Sequence, residues 1–124
     1  MQFHIDADDE FLRVHFWGRD EDRPRSDVCA EVLSESKRRG RMQILIELDQ
    51  RFPLSPASQY ELVSQLPQAG MTHEHSIALV HKTPTAQMAN QFINVVADNR
   101  GLAVRNFWNI EDAKAWLRVR ASGG

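Results

Sequence analysis

The sequence is poor in the features that would assign it to a specialised class of protein. It contains a single cysteine, Cys29, so no disulfide can form within the chain, and this usage fits a reducing compartment. None of its apolar runs approaches the ~20 residues that a membrane-spanning helix needs, and its N-terminus has no charged and then apolar leader. These absences predict a cytoplasmic protein that is not integral to a membrane.

The sequence also has no large excess of charge of either sign. Lys and Arg number 15 and Asp and Glu 17, which gives a formal net charge of −2 and a pI near 6.2. Because no overall positive field would attract a phosphate backbone, we expect no nucleic-acid partner. The 124 residues, 42% hydrophobic and 26% charged, suit one globular domain spanning 1–124, with 118–124 as a frayed tail.

Hydrophobic periodicity predicts the order of the strands. Two apolar runs about an acidic turn, residues 3–6 and 11–17, predict a β-hairpin, because Leu12, Val14 and Phe16 alternate with polar or amphipathic neighbours. Nearly continuous apolar segments at 42–49 and 76–81 predict strands buried on both faces. A fifth strand is predicted at 102–107.

Helices are predicted in the intervening segments. The first begins at Ser26 and ends at Gly40, the second begins at the Ser55-Pro56 cap and ends at Pro67 and Gly70. A third follows the Thr83-Pro84 cap and ends at Gly101, and a fourth follows a weak capping box formed by Asn109 and Asp112.

This order predicts an α/β fold with a single-layer, mixed and mostly parallel five-stranded sheet and four helices. The order of the strands is left open. The predicted core consists of Val14, Ile44, Ile46, Ile77, Leu79, Phe92, Val96 and Trp116.

The element order, with Ala-Asp-Asn-Arg-Gly at 97–101 before a strand and Glu-Asp-Ala-Lys-Ala-Trp-Leu at 111–117 after it, resembles the SpoIIAA-like family of STAS domains, also called STAS/SEC14-like. The resemblance covers roughly the whole chain and is most distinctive in the last third. It implies a small α/β domain that works by binding, either to a partner protein in a regulatory circuit or to a small or lipid-like ligand.

The best understood members of that family are switched by phosphorylation of Ser or Thr in an Asp-Ser-Ser-Gly-like element after the third strand. Ser55 falls near that position, but in residues 49–58 no aspartate flanks Ser55 and no glycine follows it. We therefore predict that Ser55 caps a helix and that the standard phosphoserine switch is missing.

Catalytic and metal sites have little support in the sequence. His73 and His75 flank a glutamate, but no third ligand or Glu-x-x-His pattern accompanies them, so we expect an exposed loop with incidental histidines. Cys29 lies in a helical apolar stripe, where a thiol is usually inert packing. The basic run of Lys37, Arg38, Arg39 and Arg41 suits the negative end of the first helix. We expect no enzyme activity, metal or cofactor.

Two binding functions remain open. In the first, a regulatory interaction module meets a partner protein through the start of the second helix, with Ser55, Ser58 and Tyr60. In the second, a small anionic or lipid-like ligand binds at the carboxyl ends of the strands, where two proline-started helices direct their N-termini. The residues predicted there are Arg51, Lys82, Thr83, Thr85 and Trp108. A homodimer is compatible with either function.

Overall fold

The computed structural model describes residues 2–17, 25–49, 56–81, 97, 101–107 and 109–122. These residues form five strands and three helices in an α/β arrangement, as the sequence predicts for the fold class and the strands. In chain order they are β1 (Gln2–Ala7), β2 (Leu12–Trp17), α1 (Arg25–Arg39), β3 (Gln43–Asp49), α2 (Pro56–Ala69), β4 (Ser76–His81), β5 (Val104–Phe107) and α3 (Ile110–Ala121).

The sheet is mixed, and its strands are ordered β1-β2-β3-β4-β5. β1 pairs with β2 in the antiparallel sense, and each later pair is parallel. The prediction of a parallel sheet with one antiparallel hairpin is confirmed. The hairpin connection is short because Asp8 closes it: its carboxylate Oδ1 accepts the backbone N–H groups of Glu10, at 2.8 Å, and Phe11, at 2.7 Å.

Gly40 ends α1 where the sequence places it. Gly40 has φ of 67°, and the N–H of Arg41 donates to the carbonyl of Ser36 at 3.0 Å. Gly101 repeats this geometry with φ of 69° and a bond of 2.9 Å from the N–H of Leu102 to the carbonyl of Ala97. A residue with a Cβ adopts this left-handed conformation at a cost, so glycine is favoured at both positions.

One face of the sheet, here called the helical face, carries the larger part of the core. Ile44 and Ile46 of β3 lie on it with Val14 of β2, and α1 and α2 cover them with side chains that include Leu33 and Val63. Ile77 and Leu79 of β4 belong to the same cluster. These five predicted core residues of the strands are therefore confirmed as buried.

The opposite face, here called the C-terminal face, is covered by α3. Ala113 and Leu117 are fully buried and pack with Leu45, Ala78 and Val80, and the helix contacts β4 most, with β3 and β5 beside it. The predicted cap of α3 is confirmed, because the side chain of Asn109 accepts the N–H of Asp112 at 2.8 Å.

Several details differ from the sequence-based expectations. Trp116 is half-buried rather than in the core, because it lies at the edge of the cluster with its ring centroid 5.6 Å from that of Phe107. Pro67 does not end α2, which continues to Ala69 although the ring removes one backbone N–H from its last turn. α3 continues through Arg118 to Ala121, residues expected to be frayed.

The helix count also differs, with three helices in the described residues where the sequence predicts four. The helix predicted after Thr83, with the core residues Phe92 and Val96, lies outside the described residues; Ala97, near its predicted end, is helical and buried. Among the described helices none is long and apolar enough to cross a bilayer.

Candidate functional site

The predicted site residues lie almost entirely outside the described part of the chain. This holds for the ligand-binding set, which comprises Arg51, Lys82, Thr83, Thr85 and Trp108, and for Ser55 in the partner-binding set. The backbone of Ser58 and Tyr60 lies in the first turns of α2, but their side chains are not among the described ones. Both site hypotheses therefore stay predictions.

The histidine-rich segment before β4 differs from the exposed loop that the sequence favours. His73 and Glu74 are exposed, whereas His75 is fully buried between Met71 and the start of β4. The Nδ1 atom of His75 accepts the backbone N–H of Thr72 at 3.0 Å, and the N–H of His75 donates to the carbonyl of Thr72 at 3.1 Å. The prediction was wrong for His75 because the turn folds its ring inward.

The buried ring of His75 is held in its neutral form. Burial lowers its pKa below the usual value, and the positive charge of Lys37 lowers it further, against a smaller opposing effect of Glu74. Since Nδ1 accepts a bond, the neutral ring carries its proton on Nε2, for which the described residues provide no acceptor. His75 is therefore a structural residue, and its buried position disfavours protonation of its ring.

A group of polar side chains lies on the C-terminal face, mostly on β1 and β2, beside the strands that α3 covers. We call it the polar patch and define it by His4, Asp6, Arg13, His15 and Glu47. The strand register places these side chains on one face, because Asp6 pairs with Arg13 and His4 with His15 across β1 and β2, while His15 pairs with Glu47 of β3. His4 and Asp6 are exposed, and the other three are half-buried.

The polar patch carries charges of both signs at short range. The Arg13 guanidinium lies 3.8 Å from the Glu47 carboxylate, with side chains 35% and 20% exposed. Asp6 of β1 lies opposite Arg13 of β2. The sign of the charge therefore alternates from β1 to β2 to β3. Ionised groups of this kind bind charged or polar groups of a partner, and their partial burial strengthens such contacts relative to those of fully exposed side chains.

The hairpin beside the polar patch is anchored to the rest of the fold. The Nε of Arg41 donates to the carbonyl of Asp8 at 2.9 Å, so a member of the basic run holds the hairpin turn. Burial raises the pKa of Asp8, but hydrogen bonds from Phe11 and Glu10, together with the charge of Arg13, outweigh it and leave that pKa lowered. The carboxylate is therefore kept ionised in its turn.

A second anchor ties the same hairpin to α3. The guanidinium of Arg118 binds the carboxylate of Glu10 through two nitrogens, at 2.8 and 3.0 Å, and lies 5.7 Å from the centre of the Phe11 ring. The hydrogen bond to Arg118 lowers the pKa of Glu10. Both anchors hold the turn between β1 and β2, the two strands that carry most of the polar patch.

The rest of the basic run serves α1. Lys37, Arg38 and Arg39 lie in its last turn, as predicted. Arg38 and Arg39 both bind Glu35, at 2.7 and 2.9 Å, and their hydrogen bonds lower the pKa of this half-buried carboxyl to about 2. These cations are engaged within their own helix.

Sequence reasoning missed the polar patch, although a signal for it was present. His4 and Asp6 alternate with apolar residues in β1, and Arg13 and His15 do so in β2. Such alternation places polar side chains together on one face once two strands pair. Among the described residues, no group of three or more His, Cys, Asp or Glu is arranged to hold a metal ion.

In the part of the chain that the structure describes, α1 and α2 cover one face of the sheet, and α3 covers β3 to β5 on the other face, with the polar patch beside it. No family model matches this sequence, and neither curated proteins nor solved structures give a match.

Proposed function

We propose that this protein is a non-enzymatic, regulatory protein-interaction module, without a standard phosphoserine switch, and that a partner protein binds the polar patch. The observation that carries the proposal lies on the C-terminal face, where, among the described elements, α3 packs over β3 to β5, while Asp6 of β1 is exposed and Arg13 of β2 is half-buried beside it. The resemblance to STAS domains supports the same class of function, since it also implies a domain that works by binding.

The chemistry of the polar patch favours a protein over a nucleic acid or a bilayer. Arg13 is balanced by Glu47 and Asp6, so the surface has no excess of positive charge to attract phosphate groups. A partner of mixed charge, with an acid placed for Arg13 and a base placed for Glu47, complements it best. The strands give these side chains fixed positions, which lowers the entropic cost of binding.

The second candidate, a small anionic or lipid-like ligand at the strand ends, remains a prediction from the sequence. Its residues from Lys82 to Thr85, with Arg51 and Trp108, lie outside the described part of the chain. Charge reversal at Lys82 distinguishes the two functions, because it should lower the affinity for the small ligand and leave the affinity for a partner protein unchanged.

The experiment that tests the proposal is partner identification by cross-linking in the host, followed by affinity measurement with the purified partner. Arg13→Glu should weaken binding at least about tenfold, since an interfacial charge is reversed. Lys37→Glu is the matched control, because Lys37 is exposed on α1 and the substitution changes the charge by the same amount. Equal affinity of the two variants would contradict the proposal.

A further inference from the structure

The two edges of the sheet are built differently. β5, at one edge, spans four residues and carries an exposed arginine, Arg105. β1, at the other edge, spans six residues and contains neither proline nor lysine, and its one charged side chain is the exposed Asp6. Among the described residues, β2 is the only strand that pairs with β1. β1 is therefore the edge that is suited to accept another strand.

The hairpin geometry identifies which backbone groups of β1 face outward. The N–H of Asp8 donates to the carbonyl of Phe11 at 3.0 Å, so this pair is a hydrogen-bonded one. Hydrogen-bonded and non-hydrogen-bonded pairs alternate in an antiparallel ladder. Asp6 and His4 therefore bond to β2, and the N–H and carbonyl of Ile5 point away from it. The N–H of Ala7 agrees with this alternation, since it donates to the carboxylate of Asp6 at 2.8 Å instead of to β2.

We propose that a second copy of this chain pairs antiparallel with β1, with Ile5 opposite Ile5 across a twofold axis. Outward groups must meet outward groups, so only alternate registers are allowed. Shifting the centre of the pair toward the N-terminus places His4 opposite His4, and shifting it toward the C-terminus places Asp6 opposite Asp6. The register centred on Ile5 instead places His4 of each copy opposite Asp6 of the other, where the imidazole N–H is placed to donate a hydrogen bond to the carboxylate.

The side chains of β1 fit this pairing on both faces. Ile5 and Ala7 are half-buried and pack against the core of the helical face, so a second copy would cover their remaining apolar surface. His4 and Asp6 are exposed on the other face and are placed to form the two symmetric pairs. The resulting ten-stranded sheet would join the polar patches of both copies into one surface.

The test is sedimentation velocity over a concentration series, with Ile5→Pro as the decisive variant. Proline at position 5 removes an outward N–H and leaves the bonds between β1 and β2 intact, since those belong to His4 and Asp6. We expect a dimer for the wild type and for Ile5→Val, and a monomer with unchanged circular dichroism for Ile5→Pro. A wild type that is monomeric at all concentrations, or a folded Ile5→Pro variant that still dimerises, would overturn the proposal.

The register is tested by exchanging the two polar residues. His4→Asp, which places Asp opposite Asp, should raise the dimer dissociation constant about tenfold or more, because symmetry repeats the pair twice. The double variant His4→Asp/Asp6→His should restore dimerisation. Absence of this rescue in a folded double variant would exclude the register centred on Ile5. Ile5 lies on the opposite side of β1 from the polar patch, so failure here leaves the Arg13 test of partner binding unaffected.

Discussion

The two faces of the sheet have different tasks. On the helical face, neighbouring strands contribute Val14, Ile44 and Ile77 to a continuous apolar layer that α1 and α2 cover. On the C-terminal face, α3 covers β3 to β5, and within the described residues β1 and β2 carry His4 and Arg13 beside it. The strands therefore change character across the sheet, from buried on both faces at β4 to buried on one face at β2.

This difference separates stability from binding. Burial of apolar side chains dominates the free energy of folding, and it is concentrated on the helical face and under α3. Charged side chains that remain partly in solvent contribute little to that free energy. The polar patch can therefore vary in sequence at a small cost in stability, which is what a surface selected for partner binding requires.

The largest expected effect on stability comes from comparing aspartate at two neighbouring positions of β3 whose side chains lie on opposite faces of the sheet. Ile46→Asp introduces an unpaired charge among the buried residues of the helical face and should cost about 4 kcal/mol or more, or prevent folding. Glu47→Asp, at the next residue, changes the polar patch and should cost at most about 1 kcal/mol. Denaturant unfolding of both variants checks this, and similar losses would erase the distinction between the faces.

A smaller contrast is expected within α3. Leu117→Ala should cost about 2–5 kcal/mol, because the side chain is fully buried and leaves a cavity. Trp116→Ala should cost less although more atoms are removed, since part of the tryptophan is already in solvent. Chemical denaturation decides between them. A greater loss for Trp116 would mean that the edge of the cluster carries more of the packing than Leu117.

The buried His75 predicts a pH dependence. Its folded pKa is lowered, so the unfolded chain, with a pKa of ~6.5, binds the proton more readily. The free energy of unfolding should therefore hold above this pH and fall as the pH drops through it toward the folded pKa. His75→Asn keeps an acceptor for Thr72 without titrating, so its loss of stability on acidification should be smaller. Equal slopes of the two proteins in that range would contradict the role of His75.

The smallest expected effect belongs to the ion pair between Glu10 and Arg118. Both groups are half exposed, so Glu10→Gln should lower stability only slightly, and the loss should disappear in ~1 M salt, where charges are screened within about 3 Å. Glu111→Gln, at an exposed acid in the first turn of the same helix, serves as the control. A salt-independent loss at Glu10 would indicate that packing on Phe11, rather than charge, holds the hairpin to α3.

Much of the fold could be predicted because local rules and tertiary packing agree. Gly40 ends α1 for a reason internal to the backbone, and the apolar runs of β3 and β4 permit little besides buried strands. The strand order could not be predicted, since periodicity reports which face of a strand is buried and not which strand lies next to it. The interior position of Pro67 was missed because proline inside a helix removes a backbone hydrogen bond, and the sequence does not show that α2 continues past it to Ala69.

The site could be predicted less well. The polar patch is assembled from three strands, so its residues meet only through the register of Arg13 with its neighbours on β1 and β3. His75 was misassigned because a polar loop sequence does not reveal that a turn directs one ring inward. The Ser55 and Lys82 hypotheses rest on residues outside the described part of the chain.

The most direct test of the account is a paired measurement on the double variant Arg13→Glu/Glu47→Arg. The exchange keeps an ion pair of the same two groups within the polar patch but inverts the charges that a partner meets. We predict a free energy of unfolding within about 1 kcal/mol of the wild type, together with a loss of partner affinity of at least about tenfold. Unchanged affinity, or a loss of stability of several kcal/mol, would contradict the assignment of this half of the sheet to binding.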